Sequence, residues 1–141
     1  MENGLKNVIM VIRGTQTVED MQDTVELTTV GKMGEKNGKT FLTYEEDEDG
    51  VSVVTTLKIS GEESVTMQKS GGNTSRLMIE KGQRNISIYE TGYGNLAIGV
   101  FGETIKNDLQ QNGGVLEVSY TLDANSSLLS HNKLEISVKE A

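Results

Sequence analysis

Apolar and polar residues alternate along most of the chain, and glycine-containing turns interrupt the alternation at short intervals. Val25, Leu27 and Thr29 alternate with Glu26, Thr28 and Val30. Val51, Val53, Thr55, Leu57 and Ile59 alternate with Ser52, Thr56 and Lys58. The same pattern runs through Leu116, Val118, Tyr120 and Leu122, and again through Leu134, Ile136 and Val138. Successive side chains of a strand point to opposite faces, so a period of two means one buried and one wet face. Many such strands at hairpin spacing predict an antiparallel barrel or sandwich.

The turn signals divide the chain. Asn37-Gly38, Asp49-Gly50, Ser60-Gly61, Gly71-Gly72, Lys81-Gly82 and Asn112-Gly113 each lie between alternating segments. Asn-Gly and Asp-Gly favour type I′ hairpins, which need positive φ at both central residues. The strands expected between them are 5–16, 22–35, 39–47, 51–60, 63–69, 74–80, 84–90, 95–104, 114–124 and 128–139. Little helix is expected. Ile105 and Leu109, four apart and followed by Asn112-Gly113-Gly114, predict one amphipathic turn over 104–111. Residues 17–23 read as a loop. Gly99 and Gly102 inside a strand suggest a bulge or a close backbone approach. Val8 to Ile12 is apolar on both parities, as in a strand covered on both sides. Its outward set needs cover from residues 17–23 or 104–111, or from a second subunit at a homodimer contact through residues 8–12.

Composition narrows the function classes. The 141 residues suit a single domain, 1–141, and no linker divides them. Net charge is −8 and the pI is about 4.7, which is opposite to the basic stripe that nucleic acid binding requires. The acidic run Tyr44-Glu45-Glu46-Asp47-Glu48-Asp49 reads first as a solvated hairpin end. Its spacing does not match a calcium loop. The absence of cysteine removes disulfides, thiolate metal sites and a cysteine nucleophile. The longest apolar run, Val8 to Ile12, is far shorter than the roughly 20 residues of a membrane helix. A cytoplasmic protein with no membrane partner is expected.

The order of several short motifs carries a family resemblance. These are Val11-Ile12-Arg13-Gly14-Thr15-Gln16, Tyr44-Glu45-Glu46, Thr56-Leu57-Lys58-Ile59, Tyr89-Glu90-Thr91-Gly92-Tyr93-Gly94, Gly114-Val115-Leu116-Glu117-Val118-Ser119-Tyr120 and Asn132-Lys133-Leu134-Glu135-Ile136. Together they resemble the small YwiB-like proteins of Gram-positive bacteria, over almost the whole chain. The resemblance implies a calycin (lipocalin-like) β-barrel and transfers no activity. The chain departs from the pattern at Lys69-Ser70-Gly71, where Arg-x-Gly is expected, so a role requiring that arginine does not carry over.

Candidate chemistry is sparse. His131, the only histidine, lies on the parity opposite to Leu134, Ile136 and Val138, which puts it at the surface. A zinc site would need several such ligands, and a hydroxyl nucleophile a base beside it. Tyr89-Glu90-Thr91-Gly92-Tyr93-Gly94 is glycine-rich, but a strand pattern follows it. A phosphate loop is normally followed by a helix, so a hairpin turn is expected. Carboxylates are too abundant for any pair to single out a glycosidase site. Tyr120 shares the apolar parity of its strand, and Tyr89 is opposite to Ile86 and Ile88. The tyrosines either close the core at the barrel ends or place hydroxyls in a ligand cavity. Arg76 shares parity with Met78. It is either a solvated cation or a charge turned into the lumen that needs a partner.

The expected fold is an all-β, single antiparallel calycin-like barrel of about 8–10 strands. Its wall is expected to include Leu42, Val53, Leu57, Ile98, Leu116, Val118, Leu134 and Ile136. The leading functional expectation is a noncatalytic module binding a small, partly apolar ligand in the lumen. Tyr44, Tyr89, Tyr120 and Arg76 are its candidate contacts, with no catalytic residue, metal or cofactor. The alternative is an assembly protein with a filled barrel that acts through its outer surface. No nucleophile–base pair supports an enzyme.

Overall fold

The computed structural model describes residues 4–71, 75–91 and 94–141, and their regular structure is entirely β-strand. The ten strands are β1 (Lys6–Val18), β2 (Met21–Lys36), β3 (Lys39–Glu48), β4 (Val51–Ser60), β5 (Ser64–Ser70), β6 (Ser75–Glu80), β7 (Arg84–Thr91), β8 (Gly94–Asn107), β9 (Gly113–Ala124) and β10 (Ser127–Glu140). All are antiparallel. Each pairs with its sequence neighbours except at β6–β7, and β10 returns to pair with β1. The result is an up-and-down barrel, closed but for one seam. All ten expected strands form, and their ends lie within three residues of those expected.

The turns follow from backbone chemistry. Asn37-Gly38 and Asp49-Gly50 both hold positive φ at each central residue, as type I′ hairpins require. Lys81-Gly82 behaves differently, because it joins β6 to β7 without a ladder between them. The connection is tied to β8 instead: Gly82 N–H donates to the Gly102 carbonyl at 2.8 Å, and Gly102 N–H to the Gln83 carbonyl at 3.3 Å. A Cβ on Gly102 would collide with the Glu80 carbonyl. Directly after it, β8 carries a β-bulge between Gly102 and Thr104. The close approach and the bulge both fall where the glycine pattern suggested them.

Two expectations are corrected. Residues 104–111 form no helical turn. Ile105, Lys106 and Asn107 continue the β8 ladder opposite Val118, Glu117 and Leu116. A tight loop follows, in which Gln110 and Gly113 exchange backbone hydrogen bonds of 2.7 and 3.1 Å. The four-residue spacing of Ile105 and Leu109 is met by a strand end plus a loop. Residues 17–23 are not a loop either: β1 and β2 run through them to a tight turn at Glu19 and Asp20, with Val18 opposite Met21.

Inside, side chains pack in rows that cross the strands. Gly114, Val138, Met10 and Thr29 form one row, and Leu116, Ile136, Ile12 and Leu27 the next. Met10, Leu42, Leu57, Ile59, Ile79, Leu116 and Ile136 are fully buried, and each such side chain contributes about 1.5–3 kcal/mol. Of the expected wall residues only Leu134 is not fully inside, and it packs against the same core. The end of the barrel bearing the 37–38, 61–63 and 108–112 turns is capped on one side, while a groove of about 290 Å³ lined by Lys6, Met33, Thr40 and Gln111 opens on the other. Leu109 packs on the core there, and Asn107 donates from its side chain to the Gly61 carbonyl and from its backbone to the Glu62 carboxylate, both at 3.0 Å.

Candidate functional site

At the opposite end the inward rows emerge into solvent. Val25 lies on the inward parity of β2 yet is 65% exposed, and Leu96 on the inward parity of β8 is 46% exposed. Met21 and Val18 extend the same side beyond the core. The inward rows are therefore deeply buried at mid-barrel and turn exposed but still apolar towards this end.

One inward row near the mouth differs in chemistry from its neighbours. Tyr120 on β9 pairs with Asn132 on β10, Asn132 with Gln16 on β1, and Gln16 with Asp23 on β2. Four adjacent strands thus set polar groups side by side, with an apolar row on the base side. The row towards the base is Val118, Leu134, Gly14 and Val25. Asn132 donates to the hydroxyl of buried Ser130 at 2.9 Å, which fixes its amide. On the far wall Tyr44 is buried opposite Thr55, whose hydroxyl is fully buried and has no hydrogen-bond partner.

Of the candidate contacts, Tyr44 and Tyr120 lie within the same hydrophobic cluster. The backbone of Tyr89 pairs with Leu96 at the mouth, and its side chain is outside the described residues. Arg76 is not brought to them. Leu77 and Ile79 occupy the inward parity of β6, so Arg76 is exposed on the outer face with Met78. It lines a groove of about 320 Å³ along the β6–β7 seam, beside outward Ile86 and Ile88. Gln16, Asp23 and Asn132 were missed by sequence reasoning. The signal was available: counting by twos from Met10 and Ile136 places Gln16 and Asn132 on the inward parity.

The outer face carries the strongest ion pair. Arg84 meets Asp123 through two hydrogen bonds of 2.9 and 2.7 Å across Gly99, where a Cβ would strike both groups. The Arg84 hydrogen bonds hold the Asp123 carboxyl below its ordinary value against desolvation, and the Ser126 N–H assists. His131 is exposed on the outer face, 4.0 Å from Glu103. Among the described residues no three His, Asp or Glu side chains gather as a metal site, and no helix is long and apolar enough to cross a membrane.

An up-and-down barrel of ten antiparallel strands, closed but for one seam, defines the class of protein. Residues 10–136 match the family model described as Domain of unknown function (DUF1934), and the chain belongs to that family. It is 28% identical over 101 residues to the Uncharacterized beta-barrel protein YwiB of Bacillus subtilis (strain 168), covering 72% of this chain and 70% of that protein. The crystal structure of the ywiB protein from Bacillus subtilis superposes with a TM-score of 0.86 over 99% of this chain and 95% of that one, at 21% identity. The chain is thus a YwiB-like β-barrel, as the motif order suggested.

Proposed function

We propose that this barrel is a noncatalytic, cytoplasmic binding module that takes a small, partly apolar ligand at its open end. The observation that carries the reading is the inward row Tyr120, Asn132 and Gln16, set above the apolar row of Val118, Leu134 and Val25 and beside Leu122. A few placed polar groups among apolar walls are the usual composition of a small-molecule site. The apolar part of the ligand would lie against Leu27, Val25 and Leu122, and its polar part on the amides and the tyrosine hydroxyl. Tyr44 forms the far wall, and Arg76 is left out. Native mass spectrometry of the protein purified from its host tests the reading by reporting any co-purified molecule. Asn132→Leu and Tyr120→Phe should lower occupancy at least about tenfold, equivalent to one lost buried hydrogen bond. Arg76→Ala should leave occupancy unchanged. Full occupancy in all three variants would refute the site.

A specific observation also favours association. Ile9 and Val11 are half-buried on the outer face; exposed Val30 lies opposite Ile9, and exposed Val115 lies in the row of Val11 beyond Ser137. The segments expected to cover them, 17–23 and 104–111, belong largely to strands of the wall. A homodimer through residues 8–12 is the second reading. Ile9→Lys or Val11→Lys should then yield a folded monomer, whereas Met10→Lys should unfold the protein. A wild type that sediments as a monomer at tens of micromolar ends this reading.

A further inference from the structure

The β2–β3 ladder stops early. Its last pair at the fork is Lys32 opposite Thr43. Beyond it β2 pairs only with β1, and β3 only with β4. Residues 22–31 of β2 therefore form a free strand edge about 30 Å long at the usual rise. The edge of β3 faces it from residue 45 onward, so the two strands bound a wedge. At the apex lies a groove of about 220 Å³ lined by Val30, Gly31, Lys32, Thr43, Tyr44 and Glu45. A Cβ on Gly31 would stand 2.5 Å from the Thr43 carbonyl, so glycine permits the close approach from which the strands diverge.

Natural sheets cover, shorten or charge their edges. This edge is neither short nor covered, and its charge is of one sign. Asp23 and Glu26 lie on β2, and Glu45, Glu46 and Asp47 on β3. None is in an ion pair among the described residues, although Glu45 accepts a hydrogen bond from Ser52 at 3.1 Å. Lys32 at the apex is the only cation on these wedge segments. A second copy fits the edge poorly, because two-fold pairing brings together two copies of the same acidic edge, each with Asp23 and Glu26 and no cation between residues 22 and 31.

We propose that the wedge docks an extended, basic polypeptide segment by strand addition. The edge of β2 supplies main-chain hydrogen bonds, and the five carboxylates select lysine or arginine in the segment. The inference shares only Asp23 with the polar row, and the ligand reading, carried by Tyr120, Asn132 and Gln16, can fail without it.

The probe is a fluorescein-labelled eight-residue peptide alternating Lys with Val and Thr, titrated against the full chain by fluorescence anisotropy at about 50 mM salt. Saturable binding is expected, with protection of amides between Gln22 and Val30 in hydrogen exchange. Binding should weaken at least about tenfold with Glu replacing Lys in the peptide, with alternate amides of the peptide N-methylated, or with Glu26→Lys in the protein. Glu63→Lys, the same charge change at the other end of the barrel, should weaken it by less than about threefold. Several results would overturn the proposal. One is no binding of the basic peptide. Another is equal loss in Glu26→Lys and Glu63→Lys, or undiminished binding of the N-methylated peptide, which would mean charge attraction alone. The last is protection of residues 22–30 that grows with protein concentration without peptide, which would make the occupant a second copy.

Discussion

Gly31 and Gly14 form a controlled pair for testing how the fork is built. Both lie on inward rows of adjacent strands, Gly31 opposite Val8 and Gly14 opposite Val25. A Cβ on Gly31 would sit 2.5 Å from the Thr43 carbonyl oxygen and 2.6 Å from the Met10 sulfur. Met10 is fully buried, and the carbonyl belongs to the last pair of the β2–β3 ladder, so neither yields without a backbone shift. A Cβ on Gly14 meets nothing within 4 Å. Alanine restores about 0.5–1 kcal/mol of backbone entropy at either site. Overpacking a filled core costs about 1–3 kcal/mol. Gly31→Ala should therefore destabilise by about 1–2 kcal/mol, and Gly14→Ala should stabilise by about 0.5–1 kcal/mol. Urea unfolding should show both as midpoint shifts at constant slope. Hydrogen exchange should show the loss in Gly31→Ala first in the β2–β3 ladder, Lys32 to Lys36. Wild-type stability in Gly31→Ala would refute the steric account of the fork. Equal losses in the two variants would refute it as well.

The remaining predictions concern the core, acid stability and nucleic acid. Val118→Asp buries a carboxylate at a fully enclosed position and should cost several kcal/mol. Glu117→Lys, one residue away, loses only outer-face contacts of 3.9 and 3.7 Å to Lys106 and Lys133, and should cost about 1 kcal/mol or less in chemical denaturation. The reverse order would mean the strand register is wrong. Asp123 has its carboxyl pKa lowered in the folded state, so its contribution is complete above the ordinary value of 3.8 and is lost as pH falls below it. Between pH 4 and 2 the wild type should therefore lose stability more steeply than Asp123→Asn. Parallel acid limbs in thermal melts would contradict the pairing. No binding to duplex or single-stranded oligonucleotides is expected at physiological salt, given a net charge of −8. Submicromolar affinity in a filter-binding assay would overturn that.

Period two along the chain was enough to determine the ten strands, most of their turns, and which residues share a face. Leu116, Val118 and Tyr120 could be placed together because a strand sends alternate side chains to opposite sides whatever it pairs with. Asn37-Gly38 and Asp49-Gly50 could be placed because positive φ is a property of those residues themselves. Parity does not say how deeply a face is buried, because burial comes from strands far away in sequence. Val25 and Leu27 read alike in the sequence. Val25 is exposed at the mouth and Leu27 packs on the core, because the latter lies one row nearer the base, beside Ile12. Arg76 could not be assigned a face until Leu77 and Ile79 were seen to occupy the interior. Ile105 and Leu109 have helical spacing, but the ladder to β9 overrode it, since hydrogen bonds to Val118 and its neighbours were available only in the folded barrel. The fork at Gly31 and the seam between β6 and β7 were likewise decided by tertiary structure. Each depends on where a ladder ends, and that is set by how strands far apart in sequence approach one another in the barrel, an approach that Gly31 permits but does not announce in the sequence.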